Sequence, residues 1–302
     1  MGFLVRQCPN ATCKFAKPTR HRFYSRVGSF LCKWNHRRIP RYRCRGCGKG
    51  FSSSRFKATY RQKKPYLNSS IFELYSSSTS QRRLAKYLKT DRKTIARKFI
   101  WLAEWAEREH KKKLSELPAS SVFQFDEMES FEHTRLKPLS ISVAVDASFS
   151  KVIALQVGTL GYKGRMASFA LSKYGPRIDT SEEAVLRALS SIKIHCESKN
   201  IANPSLITDA KSTYPRLIKG VLPDALHTAV KVEKISMAQR LFRKGRRNEK
   251  DPLFVLNFTA AKIRHDLSRM ARKVWVTTKK SSFLQAHLNL YLAYVNGYEV
   301  PR

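Results

Sequence analysis

The chain has 302 residues, a hydrophobic content of 42% and a formal net charge of +37. A chain of this size and apolar content is predicted to bury a substantial core and to divide into two or three domains, which excludes a disordered basic tail. No apolar run approaches the roughly 20 residues of a membrane span, and the first residues lack the pattern of a signal peptide. We therefore expect a cytoplasmic, nucleoid-associated protein whose partner is a polyanion, with double-stranded DNA favoured over a membrane surface.

Two cysteine pairs lie near the N-terminus. Cys8 and Cys13 form a C-x4-C pair, and Cys44 and Cys47 form a C-x2-C pair. In a reducing compartment, such pairs indicate metal binding rather than disulfides. Four thiolates are the complete ligand set of a tetrahedral, structural Zn²⁺ site, so the spacing predicts a zinc ribbon over residues 1–55.

The residues around these pairs support the same interpretation. Gly46 and Gly48 permit a tight turn that aims backbone amides at sulfur. The segment between the pairs alternates apolar and basic residues, which is typical of a hairpin. Cys32 could replace one of the four ligands, although burial in a strand is favoured for it. Cys196, alone in its segment, is predicted to lie in a core.

Residues 66–115 have the pattern of two helices joined by a tight turn. Ser80 is placed to cap the first helix, and Thr90 or Asp91 to cap the second. The inward-facing apolar residues are Leu84, Ala85 and Leu88 on the first helix and Ile95, Phe99 and Leu102 on the second. The pattern predicts a helix-turn-helix whose second helix meets a DNA major groove with a basic outer face. That face consists of Arg92, Lys93, Arg97 and Lys98. The alternative is an ordinary helical hairpin with a solvated basic face.

Residues 120–302 are predicted to form an α/β domain. Three closely spaced segments rich in Val, Ile and Phe predict an antiparallel meander, at 121–128, 138–146 and 151–158. The predicted elements that follow are a helix over 180–199, a strand ending at Asp209, a fifth strand over 224–230 and, beyond a basic insertion at 240–252, a closing helix over 253–275. This order puts Asp126 on the first strand and Asp209 at the end of the fourth, where neighbouring strand ends could bring them together.

The two aspartates are conspicuous because acidic residues are scarce in this chain. Unpaired charges at the ends of buried strands are costly, and close carboxylates repel each other unless cations bind between them. A site with few protein ligands, all of them oxygen atoms, suits Mg²⁺ or Mn²⁺. Two such ions can activate an attacking oxygen and stabilise the leaving oxygen of a phosphodiester. We therefore predict that Asp126 and Asp209 are catalytic magnesium ligands. Glu127 and Glu129 should point to the other side of the strand and form salt bridges. Asp146 could assist the metal site from the outer sphere, although a place in a turn is favoured for it.

The predicted ribbon and helix-turn-helix, with the segments "FDEM", "LITDAKSTYP" and "LNFTAAKIRHDLSRMARKVWVTTK", resemble a bacterial insertion-sequence transposase of the DDE type. The resemblance covers nearly the whole chain and implies a ribonuclease-H-like mixed sheet with flanking helices. It implies that Asp126 and Asp209 are the first two acids of the family. The third, normally a Glu on the closing helix, corresponds to Asn257, as in branches that use Asn there. Arg264 then matches the basic, DNA-contacting residue that follows the third ligand.

Helical geometry favours Asn257 among the candidates for the third position. At about 100° per residue, Arg264 returns to the face of Asn257, whereas Asp266 lies nearly opposite. Asp251, just before the helix, is the main rival because a charged oxygen binds Mg²⁺ better than an amide oxygen does.

The resemblance implies a DNA transposase that acts on the terminal repeats of its element and on target DNA, as a homo-oligomer, with catalytic Mg²⁺ (or Mn²⁺) and structural Zn²⁺. The missing third carboxylate supports a second hypothesis, a catalytically inactive, transposase-derived DNA-binding regulator. A structure-selective nuclease, which would cleave without joining strands, is a third.

Overall fold

The computed structural model describes residues 5–32, 36–231, 251–271 and 277–301. Most of the predicted basic insertion and the last residues of the predicted closing helix lie outside this described part. Contacts divide the chain into two compact units, Met1–Ser69 with Val300–Arg302, and Ser70–Glu299. No helix among the described residues is long and apolar enough to span a membrane.

The first unit contains a three-stranded antiparallel sheet. Its strands are β1 (Tyr24–Leu31), β2 (Arg38–Cys44) and β3 (Gly50–Ser52), in that order. Aromatic rings from these strands surround the buried Phe23, with Phe51 at 6.3 Å and Tyr24 at 5.2 Å between ring centroids. The antiparallel pairing of β1 with β2 confirms the hairpin pattern between the cysteine pairs.

Three helices follow: α1 (Asn68–Tyr75), α2 (Gln81–Tyr87) and α3 (Arg92–Lys113). The Ser80 side chain accepts a hydrogen bond from the Arg83 amide at 3.3 Å, which confirms the predicted cap of α2. Asp91 precedes α3 in an extended conformation but makes no side-chain capping bond. Leu84 on α2 is buried, as are the predicted inner residues Ile95, Phe99 and Leu102 on α3. The sequence interpretation missed α1, whose rings pack on those of α3.

The second unit contains a five-stranded mixed sheet. Its strands are β4 (Val122–Glu132), β5 (Thr134–Asp146), β6 (Val152–Thr159), β7 (Ser205–Asp209) and β8 (Leu226–Val230). The spatial order is β6-β5-β4-β7-β8, with the first three strands antiparallel and β7 and β8 parallel to β4. All five strands were predicted, and this mixed α/β arrangement is consistent with a ribonuclease-H-like sheet.

Among the described residues, five helices flank the sheet: α4 (Ala167–Tyr174), α5 (Ser181–Ser198), α6 (Tyr214–Val221), α7 (Phe254–Asp266) and α8 (Ser281–Val295). α5 packs on β5 and β6, and α8 packs between β6 and α3. The predicted closing helix is wrong in length, because α7 ends at Asp266 and Leu267 is extended. The amide and hydroxyl of Ser78 both donate to the Asp266 carbonyl, at 2.7 and 2.9 Å, so a distant loop satisfies the end of this helix.

Candidate metal centres and nucleic-acid surface

The four paired cysteines meet in one place, here named the cysteine cluster: Cys8, Cys13, Cys44 and Cys47. Their sulfur atoms all lie within 4.8 Å of one another, and two of the Sγ–Sγ distances are 3.7 Å. Sulfurs at the corners of a tetrahedron with zinc–sulfur bonds of about 2.3 Å lie about 3.8 Å apart. All four are free thiols. The cluster could therefore hold a metal ion such as zinc.

Backbone amides support the sulfurs of the cysteine cluster. These bonds run from Asn10 to Cys8 at 3.5 Å, from Phe15 to Cys13 at 3.4 Å and from Gly46 to Cys44 at 3.4 Å. A Cβ atom on Gly46 would lie 2.8 Å from the Phe15 ring, and Gly48 has a φ of +69°. The predicted tight turn, which the two glycines permit and which aims backbone amides at sulfur, is therefore confirmed.

The thiols of the cysteine cluster differ in how readily they ionise. Burial raises the pKa of Cys8 to about 12. A hydrogen bond from the Lys49 backbone lowers the pKa of the exposed Cys47 to about 6. Because the thiolate is the metal-binding form, a cation entering the cluster displaces protons from its buried members. Cys32 is not in the cluster, and Cys196 is buried as predicted.

The sheet brings the two predicted catalytic aspartates together, here named the aspartate pair. β4 and β7 run parallel and pair Phe125 with Thr208, so Asp126 and Asp209 follow at the same edge of the sheet. Asp209 accepts a hydrogen bond from the Lys211 amide at 3.3 Å, and Asp126 accepts one from the Glu127 amide at 2.6 Å. The two carboxylates form a donor set of oxygens only, which fits a hard divalent cation.

Asp126 is the more perturbed member of the aspartate pair. Burial is the main cause that raises the pKa of Asp126 to about 6, and the charges of Asp209 and Glu127 raise it further, while Lys211 opposes them. A cation between the carboxylates would remove this repulsion. The pair is therefore set up electrostatically to favour either a proton or a cation.

Glu127 lies beside the aspartate pair but has partners of its own. It forms a salt bridge with Lys211, and it accepts hydrogen bonds from Ser140 and from the Tyr214 hydroxyl, the latter at 3.1 Å. The predicted salt bridge is thus confirmed for Glu127. Glu129 is exposed and forms no ion pair within the described residues, so its salt bridge stays a prediction. Lys211 and Tyr214 hold the loop after β7, a role that the sequence alone did not indicate.

The two rival third ligands lie together at the start of α7. The Asn257 side-chain amide donates to the Asp251 carboxylate at 2.8 Å. Both residues are exposed. Among the described residues, no third Cys, His, Asp or Glu side chain forms with the aspartate pair a group whose ligand atoms lie as close together as those of the four cysteines. The contact between Asn257 and Asp251 does not decide between them, so the identity of the third ligand stays a prediction.

Gln124 connects this part of α7 to the strand that carries Asp126. Its buried side-chain amide donates to the Pro252 carbonyl at 2.7 Å and accepts from the Leu256 amide at 2.9 Å. Because strand side chains alternate, Gln124 lies on the same face of β4 as Asp126. Sequence reasoning missed Gln124, although a buried polar residue in the apolar run "VFQF" was the available signal.

Two further acids have structural partners. Asp146 is fully buried, and it accepts hydrogen bonds from the backbone amides of Ser120, Ser148 and Phe149 at 2.7, 3.0 and 2.9 Å. This confirms its predicted place in a turn. Asp266 accepts a hydrogen bond from the Tyr291 hydroxyl at 2.7 Å. Arg264 is half-buried on the same helix as Asn257.

The predicted basic face of α3 needs one correction. Arg92, Lys93 and Arg97 are exposed, but Lys98 is only 5% exposed. Lys98 lies three residues after Ile95 and four before Leu102, so helical periodicity places it on the buried stripe of α3. We therefore remove Lys98 from the surface available to DNA.

Comparisons with known proteins identify no family. No protein-family model matches the sequence, and no curated protein matches it. Among solved structures, the chain is similar to the Mos1 transposase paired-end complex with left transposon end, with 12% identity, a TM-score of 0.25 and coverage of 70% of this chain and 78% of the other. At that TM-score the two chains share too little geometry for the similarity to indicate a fold or a function.

Proposed function

We propose that the protein is a DNA transposase of the DDE type, similar to those of bacterial insertion sequences. The observation that carries this proposal is the parallel pairing of β4 with β7, which sets Asp126 beside Asp209. The strand order of the sheet supports a ribonuclease-H-like catalytic domain over residues 120–302. The net charge of +37 supports DNA as the partner.

The catalytic roles follow from the side chains at the sheet edge. Asp126 and Asp209 hold Mg²⁺ or Mn²⁺, with Asn257 or Asp251 as the third ligand. The bound ions supply activation of the attacking oxygen and stabilisation of the leaving oxygen. Gln124 positions the start of α7 against β4 through its two hydrogen bonds.

The other modules bind DNA. The cysteine cluster holds structural Zn²⁺ in a ribbon over residues 1–55. The helix-turn-helix over residues 66–115 presents Arg92, Lys93 and Arg97 to DNA, and Arg264 adds a contact near the catalytic residues. These modules hold the terminal repeats of the element while the aspartate pair acts on the strand, in a homo-oligomer assembled on DNA.

The test is cleavage and joining of DNA that carries the sequences flanking the gene. With Mg²⁺, the protein should nick this DNA and join the freed end to a target. Asp126→Asn and Asp209→Asn should each lower both activities about a thousand-fold, because several kcal/mol of charge stabilisation are lost. Glu129→Gln, an exposed change on the same strand, is the matched control. Cleavage retained in both aspartate variants would overturn the catalytic assignment.

A second candidate function rests on the amide of Asn257. A transposase-derived regulator that has lost catalysis needs no third carboxylate, and Asn257 supplies only a neutral oxygen. This candidate predicts that the wild-type protein binds the flanking DNA but cleaves nothing with Mg²⁺ or Mn²⁺. Cleavage without joining would instead identify a nuclease.

A further inference from the structure

Within the second unit, a cavity of about 720 Å³ lies between the helices α2 and α3, here named the helix pair, and residues nearer the C-terminus. Its walls come from the loop before α2, the beginning of α3 and six residues near the C-terminal end of the second unit: Ser268, Arg269, Thr277, Lys279, Phe283 and His287. Four cationic side chains line it: Arg82, Arg92, Arg269 and Lys279. No acidic side chain is among its described lining residues, and we name it the basic cavity.

The charge in the basic cavity is not neutralised within the described chain. None of the ion pairs among the described residues involves its four cations. Arg269 is held in place because its guanidinium donates to the Phe283 carbonyl at 3.1 Å and to the Tyr75 hydroxyl at 3.3 Å. Like charges gathered around one cavity repel each other unless an anion lies between them.

The floor of the basic cavity contains an unsatisfied polar atom. His287 is 95% buried there, since its exposed fraction is 5%. Its Nε2 faces the Tyr75 carbonyl at 3.0 Å, whereas its Nδ1 has no hydrogen-bond partner among the described residues. Buried polar atoms are nearly always paired, so an additional polar group or water belongs at this floor. The hydroxyls of Ser80 and Thr277 add donors at the walls.

We infer that the basic cavity binds a phosphate group of the DNA backbone. Arginine, lysine and hydroxyl donors without competing acids are the groups that contact backbone phosphates. Arg92 is also the first residue of α3, so a DNA strand that lies along the start of this helix reaches the cavity. One phosphate of that DNA strand would then contact both the helix pair and the side chains of Arg269 and Lys279. The inference rests on DNA as the partner, and catalysis does not enter it.

The experiment uses a fluorescein-labelled duplex of random sequence, full-length protein and no Mg²⁺. The affinity is measured by fluorescence anisotropy over a range of salt concentrations for wild type, Arg82→Gln and Lys279→Gln. Lys280→Gln is the matched control, because Lys280 is an exposed neighbour outside the cavity. Each lost phosphate contact should reduce the slope of log K against log salt by about 0.9. Melting curves of the variants establish that they fold.

A reduced slope in both cavity variants, with an unchanged slope in Lys280→Gln, supports the inference. Equal slopes in all four proteins overturn it. Inorganic phosphate is the second probe, since a ligand of the folded state raises the melting temperature. If phosphate stabilises wild type but not Lys279→Gln while all slopes stay equal, the cavity takes free phosphate and the assignment to DNA is wrong. Absence of Mg²⁺-dependent cleavage would overturn the proposed enzyme activity but leave these binding results unaffected.

Discussion

The cysteine cluster and the aspartate pair are two candidate metal centres of opposite design. In the cluster, four identical donors converge, and backbone amides of the same short turns support all four sulfurs. In the pair, two carboxylates meet only because strands distant in sequence pair in parallel. Asn257 and Asp251, which contact each other, are the two candidates for the third ligand. A closed set of four ligands stabilises a fold, whereas an open set leaves room for a substrate. Loss of one ligand should therefore have opposite effects at the two centres.

The largest expected effect is at the cysteine cluster. Cys44→Ser should abolish zinc binding and unfold the first unit, because structural zinc in small domains contributes about 10 kcal/mol or more of folding free energy. The second unit should stay folded, since its core is separate. Zinc content and limited proteolysis measure the two outcomes. Cys32→Ser is the matched control, and loss of zinc in that variant would show that the cluster is wrongly assigned.

The next effect concerns Gln124, which links the aspartate pair to the start of α7. Gln124→Leu should lower the free energy of unfolding by about 2 kcal/mol, because the Pro252 carbonyl and the buried Leu256 amide lose their partner. It should also weaken Mn²⁺ binding, because the third ligand is no longer positioned against Asp126. Gln124→Glu retains the acceptor for the Leu256 amide and should recover part of the stability. Full Mn²⁺ affinity in Gln124→Leu would mean that α7 contributes no ligand.

A smaller effect, of opposite sign to that of Cys44→Ser, is expected at Asp126. The folded-state pKa of Asp126 is about 6, above the unfolded value of 3.8. Between pH 3.8 and about 6, Asp126 is therefore protonated in the folded protein but ionised in the unfolded chain. The free energy of unfolding falls as the pH rises through this window. Asp126→Asn should raise the stability of the protein by about 1 to 2 kcal/mol at pH 7 without divalent cations. The gain should vanish below pH 4, as chemical denaturation at several pH values would reveal. Glu129→Gln should show no such gain.

The smallest effect distinguishes the two rivals for the third position. Asn257→Ala should weaken Mn²⁺ binding about tenfold, less than either change at the aspartate pair, because a neutral ligand is lost. Asn257→Glu should bind Mn²⁺ more tightly than wild type if residue 257 faces the metal. Electron paramagnetic resonance of Mn²⁺ measures both. A greater loss in Asp251→Ala than in Asn257→Ala would assign the role to Asp251.

The sequence was most informative where local patterns decide the structure. Short apolar segments located the five strands of the second unit, and the spacing of cysteines located the cluster. Ser80 was identified as a cap because capping depends on residues three positions apart. The proximity of Asp126 and Asp209 was expected from the order of the strands and helices, because that order predicts that their two strands are neighbours.

The errors arose where contacts between residues distant in sequence, or the place of a residue on a helix face, decide its environment more than its residue type does. The charge of Lys98 favoured the surface, but the apolar stripe of α3 places it inside. Apolar spacing continues past Asp266, yet the chain turns there because Ser78, far away in sequence, satisfies the helix end. Gln124 gave no periodic signal, since its importance depends on hydrogen bonds to Pro252 and Leu256 across the sheet.

Hydrogen bonds hold both ends of α7 to other parts of the second unit. At its first turn it is tied to β4 by Gln124, and its last carbonyl is tied to the loop between α1 and α2 by Ser78. Its 13 residues span about 20 Å, a distance over which a hydrogen-bonded helix is stiff. We therefore expect a displacement of the α1–α2 loop to shift the residues at the start of α7, without deformation of the sheet.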